Sequence, residues 1–137
     1  MTGRFPDADW VEGLHQKLNT DPQYARIASK WEGDFLFQIE PAGPLSERVL
    51  IYLDLWHGAC REAYIVDENS FEIAPAFILE SPYDNFVRVI QGKLDPMQAM
   101  LTRKLKVKGS MGYVMRNVPV VLDFVRCAKE VTTEVLE

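Results

Sequence analysis

Histidine and cysteine are scarce in this chain, two of each among 137 residues, and that scarcity narrows the chemistry open to it. Cys60 and Cys127 form no CxxC pair, so neither a disulfide framework nor a zinc site is expected, and two scattered histidines do not supply the missing ligands. No metal and no cofactor is expected. Long apolar runs are missing too: the longest are four or five residues, far short of the roughly 20 that cross a bilayer. The opening MTGRFPDADW has no basic segment followed by an apolar one, so a soluble protein in a reducing, cytoplasmic setting is expected. Basic charge is outnumbered, 15 Lys and Arg against 20 Asp and Glu. Non-specific nucleic-acid binding needs the reverse balance, and no nucleic-acid partner is expected. GxSxG, Walker-type and GxGxxG motifs are all missing, which removes the common nucleophile elbows and phosphate cradles.

What is present is ordinary globular composition, 47% hydrophobic and 26% charged, at a length that fits one domain with its own core. Residues 1–137 are expected to form that single domain, with a helical extension over 1–20 and a core over 21–133. TDPQ, ESPY and LDPM each place Asp or Ser before Pro, the pattern of a capping side chain followed by a first helical residue that needs no N–H. Helices are therefore expected after Asp21, Ser81 and Asp95. The first carries Tyr24, Ile27, Ala28 and Trp31 on one face and ends at Gly33; the second carries Tyr83, Phe86, Val87 and Ile90; the third carries Met97, Met100 and Leu101. An earlier helix over Asp9 to Leu18 aligns Trp10, Leu14 and Leu18.

Between Asp34 and Glu80 the apolar period changes to two, predicting strands around Phe35–Ile39, Val49–Leu55 and Ala59–Val66. Gly58 suits a tight turn between the last two. A fourth strand over Phe71 to Glu80 would align Phe71, Ile73, Phe77 and Leu79, with Pro75 arguing for an edge or a bulge. KLKVKG is a fifth, alternating Lys104, Lys106 and Lys108 with Leu105 and Val107. Past Ser110 a long final helix, kinked at Pro119, would align Met111, Val114, Met115, Val118, Leu122 and Val125. The sum is an α+β fold, one sheet under helices.

Catalytic groups are thin. His57 and Cys60 invite a thiol nucleophile with a histidine base, yet odd spacing beside a turn sets the two side chains on opposite faces. The acids fall at predicted turns and helix starts, where capping and solvation explain them. Four of the five methionines, Met97, Met100, Met111 and Met115, bracket the lysine strand. Such flexible, polarizable side chains either fill a core or adapt to apolar guests. Arg103, Lys104, Lys106 and Lys108 form the one basic cluster, either a solvated strand face or a contact for anionic headgroups.

The run FVRVIQGKLDPMQAMLTRKLKVKGSMGYVMR, Phe86 to Arg116, resembles the signature region of the sterol carrier protein 2 family: an apolar helix, GKLDP, a short helix, KLKVKG and a methionine-bearing helix. That resemblance implies a single five-stranded, mostly antiparallel or mixed sheet covered on one side by helices. It also implies an apolar tunnel for fatty acid, fatty acyl-CoA, phospholipid or sterol. The function implied is noncatalytic lipid binding or lipid transfer. Phe86, Ile90, Met100, Leu101, Met111, Met115, Val118 and Leu122 become candidate lipid-binding residues. Lys104, Lys106 and Lys108 become candidate headgroup contacts wherever their face borders the mouth. A lipid or acyl-CoA ligand, transient membrane contact and a homodimer are the partners to consider. The extra N-terminal helix and the bulk of Trp10, Trp31 and Trp56 motivate a second reading, a structural or interaction subunit of the same fold with its tunnel filled. A small thiol enzyme using Cys60 and His57 is a third.

Overall fold

The computed structural model describes residues 3–68 and 74–137. Along the chain run β1 (Gly3–Phe5), α1 (Ala8–Thr20), α2 (Pro22–Ile27), β2 (Phe35–Glu40), β3 (Val49–Trp56), β4 (Ala59–Ile65) and β5 (Phe77–Pro82). There follow α3 (Tyr83–Ile90), α4 (Pro96–Leu101), β6 (Lys106–Lys108), α5 (Met111–Arg116), α6 (Val118–Val131) and β7 (Thr132–Val135). Five strands form one mixed sheet in the order β4-β3-β2-β5-β6; β2 and β5 run parallel and the other pairs antiparallel. β1 and β7 pair in parallel as a separate two-stranded ribbon.

Period-two patterning decides which sheet face meets the helices. Phe35, Phe37 and Ile39 of β2, Ile51, Leu53 and Leu55 of β3, and Phe77 and Leu79 of β5 all enter the main core. The opposite face holds a smaller cluster of Leu36, Leu50 and Tyr52 with Tyr64, Val66 and Ile78 against it. α1 buries Trp10, Val11, Leu14 and Leu18 in the main core. Burying each leucine there contributes about 2 kcal/mol, so this helix is an integral wall and not an appendage.

Local capping chemistry sets two helix starts as the sequence predicts. The Asp21 carboxylate accepts the Tyr24 N–H at 2.9 Å, and the Asp95 carboxylate accepts the Gln98 N–H at 2.9 Å. At the third Asp/Ser-Pro site the expectation fails. Ser81 and Pro82 finish β5, no side chain caps α3, and the Ser81 hydroxyl donates instead to the Lys104 carbonyl. Pairing of β5 with β2 through Pro82 holds Ser81 in extended backbone, out of reach of the helix amides.

Four other expectations need correction. α2 stops at Ile27, and Trp31 lies in the turn beyond it, buried, with its indole N–H on the Gly33 carbonyl at 2.9 Å. The final helix is not kinked at Pro119 but broken at Asn117, whose φ of −126° and ψ of 34° leave the helical region; Pro119 then sits in the first turn of α6. Pro119 has no N–H to give the preceding turn, so a new first turn is the cheaper solution. Pro75 precedes β5 rather than lying in it, and β5 sits between β2 and β6 rather than at an edge. Phe71 and Ile73, expected to share the face of Phe77, lie outside the described residues.

Candidate functional site

Between the helix-facing side of the sheet and α6 lies a cavity of about 80 Å³. Its floor is Phe35, Phe37, Leu55 and Leu79 of the sheet; α3 gives Phe86, Val89 and Ile90; α4 gives Pro96 and Met100. α6 roofs it with Val120, Val121, Phe124, Val125 and Ala128. Among the described residues, no charged one lines it.

Aromatic rings shape the space. Phe37 meets Phe86 at 6.0 Å and Phe124 at 5.8 Å between ring centroids. Trp31 packs on Phe35, Phe77 and Tyr113 at 5.8, 5.6 and 4.9 Å. Phe5 closes another side, edge-on to Trp10 and stacked on Tyr83. The polar tips of these rings are turned to protein partners. Trp10 donates to the Thr132 hydroxyl at 2.7 Å, Trp31 to Gly33, and the Tyr83 hydroxyl to the Leu136 carbonyl at 2.7 Å. Tyr24 lines the cavity as well, and burial pushes its phenol well above the usual tyrosine range, so it stays protonated.

Among the lining residues only Val121, Phe124 and Val125 are partly exposed. They lie close together on α6, one turn apart, so the thinnest wall of the cavity follows one flank of that helix. Asp123 and Cys127 mark the opposite flank, packed toward α2, where Gln23 donates to Asp123 at 2.7 Å. The thin flank therefore looks toward α4, which also packs on α6 and supplies Pro96 and Met100.

The sequence-derived candidates are distributed as follows. Phe86, Ile90 and Met100 line the cavity. Met111 is partly buried against the core, and Val118 is partly exposed at the start of α6. Leu101, Met115 and Leu122 point to solvent at 59%, 42% and 45% exposure. For the final helix the break at Asn117 explains the difference: it resets the helix, and α6 presents Val120, Val121, Phe124 and Ala128 inward instead of Leu122. Tyr24, Trp31, Phe5 and the sheet floor were not singled out as ligand contacts because their sequence signal, burial periodicity, is the same for a core as for a cavity.

The lysines divide. In the β5–β6 register Lys106 faces Glu80 and Lys108 faces Ile78, while Val107 faces the cavity residue Leu79. Alternation puts Lys106 and Lys108 on the sheet face away from the helices; Lys108 Nζ lies 3.7 Å from Glu80. Lys104, ahead of the strand, is exposed, and its carbonyl takes the bonds from Ser81 and Asn85.

The thiol reading is not supported by the geometry. Cys60 is buried, its thiol pushed up to about 12 by desolvation, and it bonds the Glu62 carbonyl. His57 is exposed and bonded to Glu32 at 2.6 Å. Cys127 is buried as well, pushed up to about 11 by desolvation. Asp21, Asp123 and Cys127 come close enough to suggest a cation site, but the Arg126 guanidinium already fills that role, 2.7 Å from Asp21 and 2.8 Å from Asp123. Among the described residues no helix is long and apolar enough to cross a membrane.

No curated protein sequence matches the chain significantly. Solved structures do. A crystal structure of sterol carrier protein 2 superposes with a TM-score of 0.81 at 30% identity, covering 91% of this chain and 97% of the other. A conserved hypothetical protein of Thermus thermophilus, described as a sterol carrier protein candidate, gives 0.83 at 29% identity over 96% and 93% of the two chains. The fold alone is shared with sterol carrier protein 2 of Aedes aegypti, solved with a C16 fatty acid, palmitate: TM-score 0.54, 18% identity, 87% and 93% coverage. The sequence profile of the SCP-2 sterol transfer family matches residues 12–121, and with a five-stranded mixed sheet and its helices superposing on solved sterol carrier proteins, the chain belongs to that family.

Proposed function

We propose that this protein is a noncatalytic lipid carrier whose cavity holds the apolar part of a single-chain lipid, in a cytoplasmic setting. The observation that carries this is the cavity itself, a space between sheet and α6 that no charged group lines among the described residues. Buried charge is costly without a partner, so a carboxylate or phosphate headgroup stays outside while its chain goes in. Each methylene buried there contributes about 0.8 kcal/mol before ordering costs, so affinity rises with the length of chain the cavity admits. The narrow, ring-crowded space suits a flexible chain better than a rigid sterol, which favours fatty acid or fatty acyl-CoA among the family's ligands. The palmitate complex of the Aedes aegypti relative supports the same class.

The crowding by seven Phe and Trp rings also favours a second reading, a closed structural module with no guest. Native mass spectrometry of gently purified protein, with organic extraction and lipid identification, separates the two. A stoichiometric copurifying lipid, or saturable micromolar binding of palmitate to delipidated protein, is expected of a carrier. A protein that is empty and refuses added palmitate is the closed module.

A further inference from the structure

The stretch from Pro96 to Leu122 contains five basic residues and no acidic one, in a chain whose remaining residues carry 10 bases against 20 acids. Among the described residues, three of the five exposed large hydrophobics, Leu101, Met115 and Leu122, fall in the same stretch; the other two, Trp56 and Ile65, lie on β3 and β4, on the far side of the sheet from β6. Apolar and basic groups are interleaved. Arg103 and Lys104 follow Leu101, and Arg116 follows Met115, all of them exposed. Arg103 adopts a positive φ of 63°, which ends α4 abruptly. Among the described residues none of these three cations has an ion-pair partner, whereas Arg126, further along α6, is consumed by Asp21, Asp123 and Glu130.

Leu101 ends α4, Arg103 and Lys104 lie in the turn just after it, Met115 and Arg116 end α5 and Leu122 is on α6, so they sit on or beside the elements around the thin wall of the cavity. Two other amphipathic helices, α1 and α3, have their apolar faces committed to the core. An interleaved apolar and cationic surface is complementary to an anionic bilayer, where the charges meet headgroups and the apolar side chains enter the acyl boundary. We propose that Leu101, Met115 and Leu122, with Arg103, Lys104 and Arg116, form a docking surface for an anionic lipid bilayer that sets the α4–α6 seam against the membrane. The proposal rests on the lipid-carrier reading for its purpose, since a seam facing the bilayer lets a chain pass without crossing water.

Flotation of the full chain with phosphatidylcholine vesicles, with and without phosphatidylserine, tests it. The protein floats with the anionic vesicles and not with the neutral ones, and added salt weakens the binding. L101S/L122S loses most of it, R103E/K104E weakens it by at least the roughly fivefold expected per charge removed, and I65S, at the opposite edge, floats like the unaltered protein. Unchanged thermal midpoints and unchanged palmitate affinity in vesicle-free buffer show that the variants are folded. Flotation of L101S/L122S or R103E/K104E equal to that of the unaltered protein overturns the docking surface, as does failure of the unaltered protein to float with anionic vesicles. Failure of palmitate binding with flotation intact instead sinks the carrier reading and leaves the surface standing.

Discussion

Asn19 clasps the backbone of Cys60 from both sides: its amide nitrogen donates to the Cys60 carbonyl at 2.8 Å, and its amide oxygen accepts the Cys60 N–H at 2.7 Å. Cys60 lies on β4, an edge strand with open backbone groups, and α1 uses this side chain to close the edge. His15, one turn earlier on α1, shares the same carbonyl at 2.9 Å.

Asn19→Ala is expected to destabilise the fold by about 2 kcal/mol, two net hydrogen bonds. His15 still serves the carbonyl, so most of the loss falls on the amide. Asn19→Asp keeps an acceptor for the Cys60 N–H but sets a second carboxylate oxygen against the Cys60 carbonyl, so it should recover little of the loss; urea denaturation at neutral pH measures both.

The Arg126 network makes a pH prediction. Bonding to Arg126 holds the Asp21 carboxyl well below its ordinary 3.8. A depressed folded-state value means that its stabilisation is fully present above the unfolded value and is lost as pH falls toward the folded one. Stability of the unaltered protein should therefore decline from about pH 5 downward. Arg126→Met removes the main cause of the shift, so its decline should be shallower. Because it also leaves Asp123, only 5% exposed, with Gln23 alone, it should cost about 3 kcal/mol at neutral pH.

Two glycines separate backbone strain from crowding. Gly92 has φ +77°, and a Cβ there would approach only the flexible Lys129 side chain, so Gly92→Ala should cost about 1 kcal/mol, the strain alone. Gly58 has φ +81° in the β3–β4 turn, and a Cβ would lie 2.6 Å from the Ala25 carbonyl oxygen. Gly58→Ala should cost about 3 kcal/mol or more, because backbone must move. Thermal or urea midpoints of the two variants should differ accordingly.

Ala128 is a small gap in the cavity roof. Ala128→Leu adds three carbons to a space of about 80 Å³. Palmitate affinity should drop at least about tenfold, the equivalent of two buried methylenes lost, while stability falls by no more than about 3 kcal/mol. Titration with delipidated protein, beside a denaturation curve, reads both; an unchanged affinity places the ligand elsewhere.

The parts legible in the sequence are those governed by neighbours along the chain. Asp21 and Asp95 cap because a short carboxylate reaches amides three residues on. Strand faces follow from alternation, and the GKLDP-to-KLKVKG run carries the family. Tertiary structure decided what local rules leave open. Ser81 matches Asp21 and Asp95 in local pattern, but strand pairing took it, and it now serves the Lys104 carbonyl. Lys106 and Lys108 are no different from Lys104 in composition, and only the register against Glu80 and Ile78 turns them away from the helices. The break at Asn117 directs Phe124 and Ala128 inward and leaves Leu122 outside. The five-stranded sheet and its helices were thus determined by short-range periodicity and capping. Whether an apolar side chain became core, cavity wall or exposed rim depended on long-range packing, which periodicity does not encode.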